Sequence, residues 1–112
     1  MTTAAAPAVT TDHGLLHRAS TTKHWQDLAA RLKAFADPTR LRLLASLRTR
    51  PHQQACVKEL TQATGLAQPL VSHHLQILRR ATLVNSTRHG SHVYYQLNTS
   101  IVHATAKQLT QP

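Results

Sequence analysis

The sequence predicts a mainly α fold with a small β-hairpin, in the order α-α-α-α-β-β-α. Three observations predict it. Apolar residues recur at helical spacing through most of the chain. The period switches to two over Val93, Tyr95 and Leu97, with Tyr94 and Gln96 facing the other way. Just before that switch, residues 68–80 combine one apolar face with one face of amides, hydroxyls, imidazoles and cations.

Each element has its own signal. Residues 1–20 are rich in Ala, Thr and Pro and lack periodicity, which predicts a flexible arm ahead of one domain over 21–110. Trp25, Leu28, Ala29, Leu32 and Phe35 share a face, so a first helix is expected over roughly residues 21–36. Asp37-Pro38 ends it and starts the next, Asp37 as cap and Pro38 in the first turn. Leu41, Leu44 and Leu47 give the second helix its apolar stripe, and Arg50-Pro51 stops it. Cys56, Val57 and Leu60 begin a short third helix that ends near Gly65, a residue suited to a left-handed stop. The fourth helix follows over roughly 68–81, with Ala67 as a weak cap and Pro69 tolerated in its first turn. His89-Gly90 is the expected hairpin turn. Asn98 or Thr99 caps a last helix with Val102, Ala106 and Leu109 on one side.

A short helix, a turn of about three residues, a polar-faced helix and a basic hairpin together make a winged helix-turn-helix. In the fourth helix Val71, His74, Leu75 and Leu78 fall inward by spacing. His74 then reads as a hydrogen-bonded inward histidine. Gln68, Ser72, His73, Gln76 and Arg79 fall outward. Glutamine can pair with adenine in bidentate fashion, and serine and histidine can reach base edges or phosphate. The N-terminal end of such a helix penetrates deepest, which singles out Gln68, Pro69, Leu70, Ser72 and His73, with Leu70 suited to a thymine methyl. Arg79 and Arg80, near the far end, suit phosphate. Arg88, His89 and His92 lie at or near the hairpin tip, where a wing tracks the backbone or enters the minor groove.

Charge agrees with a polyanionic partner. The 112 residues carry 13 Lys+Arg against 4 Asp+Glu, a formal net charge of +9. The acids are Asp12, Asp27, Asp37 and Glu59, so the half that contains the fourth helix and the hairpin has none. Hydrophobic residues make up 41% and aromatics 4%; so thin a core on a short chain predicts oligomerisation. No apolar run approaches a membrane span, no secretory signal is visible, and Cys56 is the only cysteine. These features fit a cytoplasmic protein without a membrane partner. With four acids, one cysteine and three glycines, no carboxylate pair, phosphate-binding loop or nucleophile elbow is present, which argues against an enzyme. A basic module that binds nucleic acid without reading sequence is the competing class. It needs stacking aromatics, and only Tyr94 and Tyr95 qualify.

Three ordered motifs carry a family resemblance. Ala36-Asp37-Pro38-Thr39-Arg40-Leu41-Arg42-Leu43-Leu44 resembles the "ADPTRLRIL" segment of the ArsR/SmtB family of bacterial repressors. Gln68–Leu75 is similar to that family's recognition helix, and Gly90–Leu97 to its wing strand. The resemblance covers roughly residues 25–109. It implies a homodimeric repressor with first and last helices at the dimer interface, bound to double-stranded operator DNA and released by an effector, often a metal ion.

The resemblance also implies where an effector would sit, and there the sequence departs. Many members carry a Cys-x-Cys pair at the third helix; here Cys56 is kept and Lys58 stands in the second place. Others use an Asp-x-His pair in the last helix; here Asn98–His103 keeps only His103. Some relatives join an N-terminal arm to the approach to the third helix of the other subunit. Those positions are Asp12, His13 and His17 with His52 or Cys56. Imidazole and carboxylate ligands favour zinc, nickel or cobalt over arsenic. Relatives that respond to redox state, or to no effector, leave a metal-free repressor as the alternative.

Overall fold

The structure, a computed structural model, describes the backbone of residues 11–110 and the side chains of residues 22–110. Its order is α1 (Thr11–Phe35), α2 (Pro38–Arg48), a short turn at Pro51–Gln53, β1 (Gln54–Cys56), α3 (Val57–Thr64), α4 (Gln68–Arg80), β2 (Val84–His89), β3 (His92–Leu97) and α5 (Thr99–Thr110). The expected order therefore gains one strand.

α1 begins at Thr11, ten residues before its expected start at residue 21, so it takes in part of the expected arm. Leu28 and Ala34 are buried, whereas Trp25 is 55% exposed. Asp37 caps α2: its backbone is extended and its carboxylate accepts the Arg40 N–H at 3.0 Å. The α2 stripe is rotated from the expected one. Leu43, Leu44 and Leu47 are buried and Leu41 is 51% exposed. Leu41 stands at the rim of an apolar cleft shared with Phe35, Leu97 and Val102, while Leu43 takes the centre of the packing.

β1 pairs antiparallel with β3, setting Ala55 opposite Tyr95, so the sheet order is β1-β3-β2. Cys56 thus ends a strand and precedes α3 instead of starting it, and the Glu59 carboxylate accepts its N–H at 2.9 Å. Gly65 closes α3 in the left-handed region, with φ 71° and its N–H on the Thr61 carbonyl. α4 starts at Ala67 with no side-chain cap. Gly90 supplies the positive φ, 65°, of the hairpin turn. Asn98 caps α5 through its Oδ1, which accepts the Ile101 N–H at 3.4 Å.

The core lies between these layers: Leu43, Leu47, Leu60, Val71, Leu75, Leu78, Leu83 and Val84 are essentially fully buried, with Tyr95 closing it from β3. α5 differs from its expected packing. Ala106 is exposed and Leu109 is 61% exposed, while Thr105 turns inward at 1%. Arg31 of α1 donates to Thr105 Oγ1 at 2.9 Å and to Gln108 Oε1 at 3.0 Å, so these hydrogen bonds help join α5 to α1. No helix among the described residues is long and apolar enough to cross a membrane.

Leu75 is 0% exposed and sits on the face that joins α4 to the core. Leu75→Ala should cost about 2–5 kcal/mol of folding stability, through lost transfer energy plus the cavity left behind. Urea unfolding monitored by circular dichroism checks this.

Candidate nucleic-acid interface

The periodicity of α4 is realised in three dimensions. Val71, His74, Leu75 and Leu78 are buried. Gln68, Pro69, Leu70, His73 and Arg79 are exposed, and Ser72 and Gln76 are half-buried. Gln76 is occupied at both ends of its amide. It donates to the Tyr95 hydroxyl at 3.2 Å and accepts from Arg79 Nε at 3.1 Å. This bridge ties α4 to β3, and it leaves Gln76 less free than its neighbours to read a base.

The wing follows from the ladder. His89 is opposite His92 and Arg88 is opposite Val93, so all three polar residues flank the turn and stand exposed. The His89 ring meets Tyr94 edge to face at 5.5 Å. Between the wing, α3 and the start of α4 lies a cleft of about 550 Å³. Gln68 and His92, distant in sequence, line it together with Lys58, Thr61, Gln62 and Ser91. These last four had no sequence signal; Lys58 stood out only as a residue displacing a thiolate. The concavity can take an anionic ridge, with amides and a lysine along one wall and the wing as the other.

His74 anchors the helix behind this surface. It is 9% exposed, and its Nδ1 lies 3.2 Å from Arg40 Nη1 and 3.9 Å from the Asp37 carboxylate. Arginine can only donate, so Nδ1 is the acceptor and the neutral ring carries its proton on Nε2. Arg40 also donates from Nε to the Ala34 carbonyl at 2.6 Å and from Nη2 to the Lys33 carbonyl at 3.3 Å. Burial holds the His74 pKa below its ordinary value. The Asp37 charge opposes that shift, and the Arg40 and His73 charges add to it.

The candidate metal ligands are not gathered. The side chains of Asp12, His13 and His17 lie outside the described residues. His52 is exposed in the turn before β1, at φ 54°, and its carbonyl accepts from Gln96. Cys56 is buried and His103 is exposed on α5. Among the described residues no group of three or more His, Cys, Asp or Glu could hold a metal ion. The described residues of one chain therefore do not fit a metal.

Comparison with known proteins agrees with this geometry. Residues 37–86 match the sequence pattern of the "Bacterial regulatory protein, arsR family". The transcriptional repressor SdpR of Bacillus subtilis is 33% identical over 70 residues, which span 62% of this chain and 74% of SdpR. The chain belongs to the arsR family. An SmtB repressor homologue of Synechocystis is 43% identical over 72 residues, 64% of this chain and 52% of that protein. The chain thus spans about half the length of that relative. Among solved structures, HlyU of Vibrio cholerae aligns with a TM-score of 0.65 at 33% identity, covering 78% of this chain and 91% of HlyU. A homodimeric winged helix-turn-helix domain from Mycobacterium bovis, described as a possible ArsR-family regulator, aligns with a TM-score of 0.69 at 25% identity, covering 80% and 82%. In this arsR-family chain the matched segment runs from the Asp37 cap through α4 into β2 and so includes the Arg40–His74 contact.

The His74 shift has a sign. A histidine whose folded pKa lies below its unfolded value, near 6.5, takes up its proton more readily when unfolded. Its neutral contribution is complete above that pH and is lost as pH falls below it. The melting temperature should therefore drop between about pH 7 and about pH 5, and His74→Gln, which keeps an acceptor for Arg40, should flatten that slope. Thermal melts of both proteins across this range give the comparison.

Proposed function

We propose that this chain is a sequence-specific DNA-binding transcriptional repressor that acts as a homodimer. The observation that carries the reading is the shared cleft, which Gln68 at the start of α4 and His92 of the wing line together and which no acid lines. Gln68, Ser72 and His73 read base edges in the major groove, with Pro69 and Leu70 against the groove floor. Arg79, Arg88, His89 and His92 hold phosphate or the adjacent minor groove. Gln76 fixes the helix against Tyr95.

Exposed Trp25 on α1 and Leu109 on α5 support pairing through the first and last helices, since large apolar side chains so far out of the core favour a covering surface. A dimer of this kind reads an inverted repeat with half-sites about one helical turn apart. Residues 1–20 remain an arm outside the domain of residues 21–110 in this reading, although the α1 helix extends back into it to Thr11.

Release by zinc or nickel requires two subunits. Asp12, His13 and His17 of one would meet His52 or Cys56 of the other, with His103 the remaining candidate. Imidazole and carboxylate donors suit those ions. A repressor that answers no metal is the alternative.

Alanine at both Ser72 and His73 should remove the preference for the operator over random DNA, a loss of about tenfold or more, because each good base contact discriminates by about 1–3 kcal/mol. Competition gel shifts on the chain's own upstream DNA measure it, and an unchanged preference refutes α4 as the reading helix. Arg88→Ala should instead weaken all sequences alike and reduce the salt slope by about one. Adding EDTA and then Zn(II) or Ni(II) to the same gel shift should release the operator if metal is the effector; unchanged binding with each ion leaves the metal-free repressor.

A further inference from the structure

We infer that the cleft between α1 and the C-terminal end of α4 binds a small amphipathic carboxylate, one with a single ring or a short chain. The cleft has a volume of about 410 Å³, within the range of small-molecule sites. Its floor is apolar, built from Ala30 and Ala34 of α1 with Ile77 and Ala81 at the end of α4. Its rim is cationic: Lys33, Arg40 and Arg80. No acid lines it.

The acids nearby are engaged elsewhere. Asp27 lines the adjoining cleft with Arg31 and Arg80, and Lys23 pairs with it at 3.3 Å. Asp37 caps α2. Among the described residues neither Lys33 Nζ nor the Arg80 guanidinium has a hydrogen bond or ion pair. Two cations without a protein partner beside a fixed third offer an anion three donors, and a carboxylate is the planar group that suits a guanidinium fork. An inorganic anion leaves the apolar floor uncovered. A neutral apolar molecule leaves the cations uncompensated. Only a ligand with both an anionic head and an apolar body satisfies the whole cleft.

Arg40 connects this site to the DNA-reading helix. Its guanidinium already spans the Lys33 and Ala34 carbonyls and His74 Nδ1. A carboxylate drawing on the same fork competes with its two longer contacts, to the Lys33 carbonyl at 3.3 Å and to His74 at 3.2 Å. Loosening the His74 contact frees α4 from its tether to the α1–α2 junction. This coupling rests on the operator-binding reading; occupancy of the cleft does not.

Titration calorimetry of the whole chain with benzoate, and with benzamide as its neutral isostere, tests the site without DNA. Benzoate should bind once per chain, and benzamide about tenfold or more weakly, the ratio that one charge-assisted contact provides. The double variant Lys33→Gln, Arg80→Gln should weaken benzoate by about tenfold or more. Ala30→Trp, filling the cleft from an exposed position, should abolish binding while leaving the circular dichroism spectrum unchanged. Failure to bind benzoate, equal affinity for benzamide, or unchanged benzoate affinity in the double variant overturns the site. Saturating benzoate should also weaken operator binding about tenfold, inside the usual range of allosteric coupling. Bound benzoate with undiminished operator affinity overturns the coupling through Arg40. A chain that binds benzoate but no DNA refutes the repressor reading and leaves the site standing.

Discussion

At the junction of α1 and α2, the guanidinium of Arg40 gathers the last carbonyls of α1 and reaches across to His74 on α4. Its own backbone N–H is held by Asp37, the residue that caps α2. One side chain thereby fixes the end of one helix, the start of the next and the inner face of a third. The Lys33 carbonyl also accepts the Ala36 N–H at 3.2 Å, so the cation chiefly satisfies that of Ala34, a helix-end group that would otherwise need water. The angle of α4, and with it everything its outer face presents, depends on this arrangement.

The sheet supplies the second fixed point. β3 is the middle strand, held by β1 on one side and β2 on the other. Tyr95 is only 5% exposed, and its hydroxyl accepts from the Gln76 amide. The Gln76–Tyr95 hydrogen bond thus ties the root of the wing to α4, and a second bond holds Arg79 to the same Gln76 amide. α4 is braced near its middle from two directions, His74 toward α1–α2 and Gln76 toward the sheet, while its first turn projects free with only Ala67 in the cap position.

Much of this was legible in the sequence because its signals are local. The spacing of Val71, His74, Leu75 and Leu78 located the inner face of α4, and Gly65 and Gly90 marked two backbone positions at positive φ. β1 was illegible because three residues are too few to show a period, and Cys56 and Val57 continue smoothly into a helical pattern. The rotation of α2 was missed because Leu41, Leu43, Leu44 and Leu47 allow two overlapping stripes, and only the neighbouring elements choose between them. Gln76 looked like any outward amide, since its tie to Tyr95 crosses nineteen residues. Clefts escape periodicity altogether: Lys58 and Gln62 beside the wing, or Lys33 and Arg80 above an alanine floor, come together only when helices pack.

The ladder of the hairpin carries a mechanical consequence. β1 covers β3 only from Tyr94 to Gln96, so beyond Tyr94 the wing is a two-stranded ribbon. In β2 only Val84, at the root, is buried. The wing is therefore a cantilever, clamped at one end and supported along its outer half by the backbone ladder, the packing of Val93 and the His89–Tyr94 ring contact. Such a ribbon opens locally at a free-energy cost well below that of global unfolding. Ordering it against a partner costs entropy that the rigid helix does not incur. A difference in stiffness follows: α4 is held on its inner face by the core, whereas the tip of the wing is free to comply with whatever it meets.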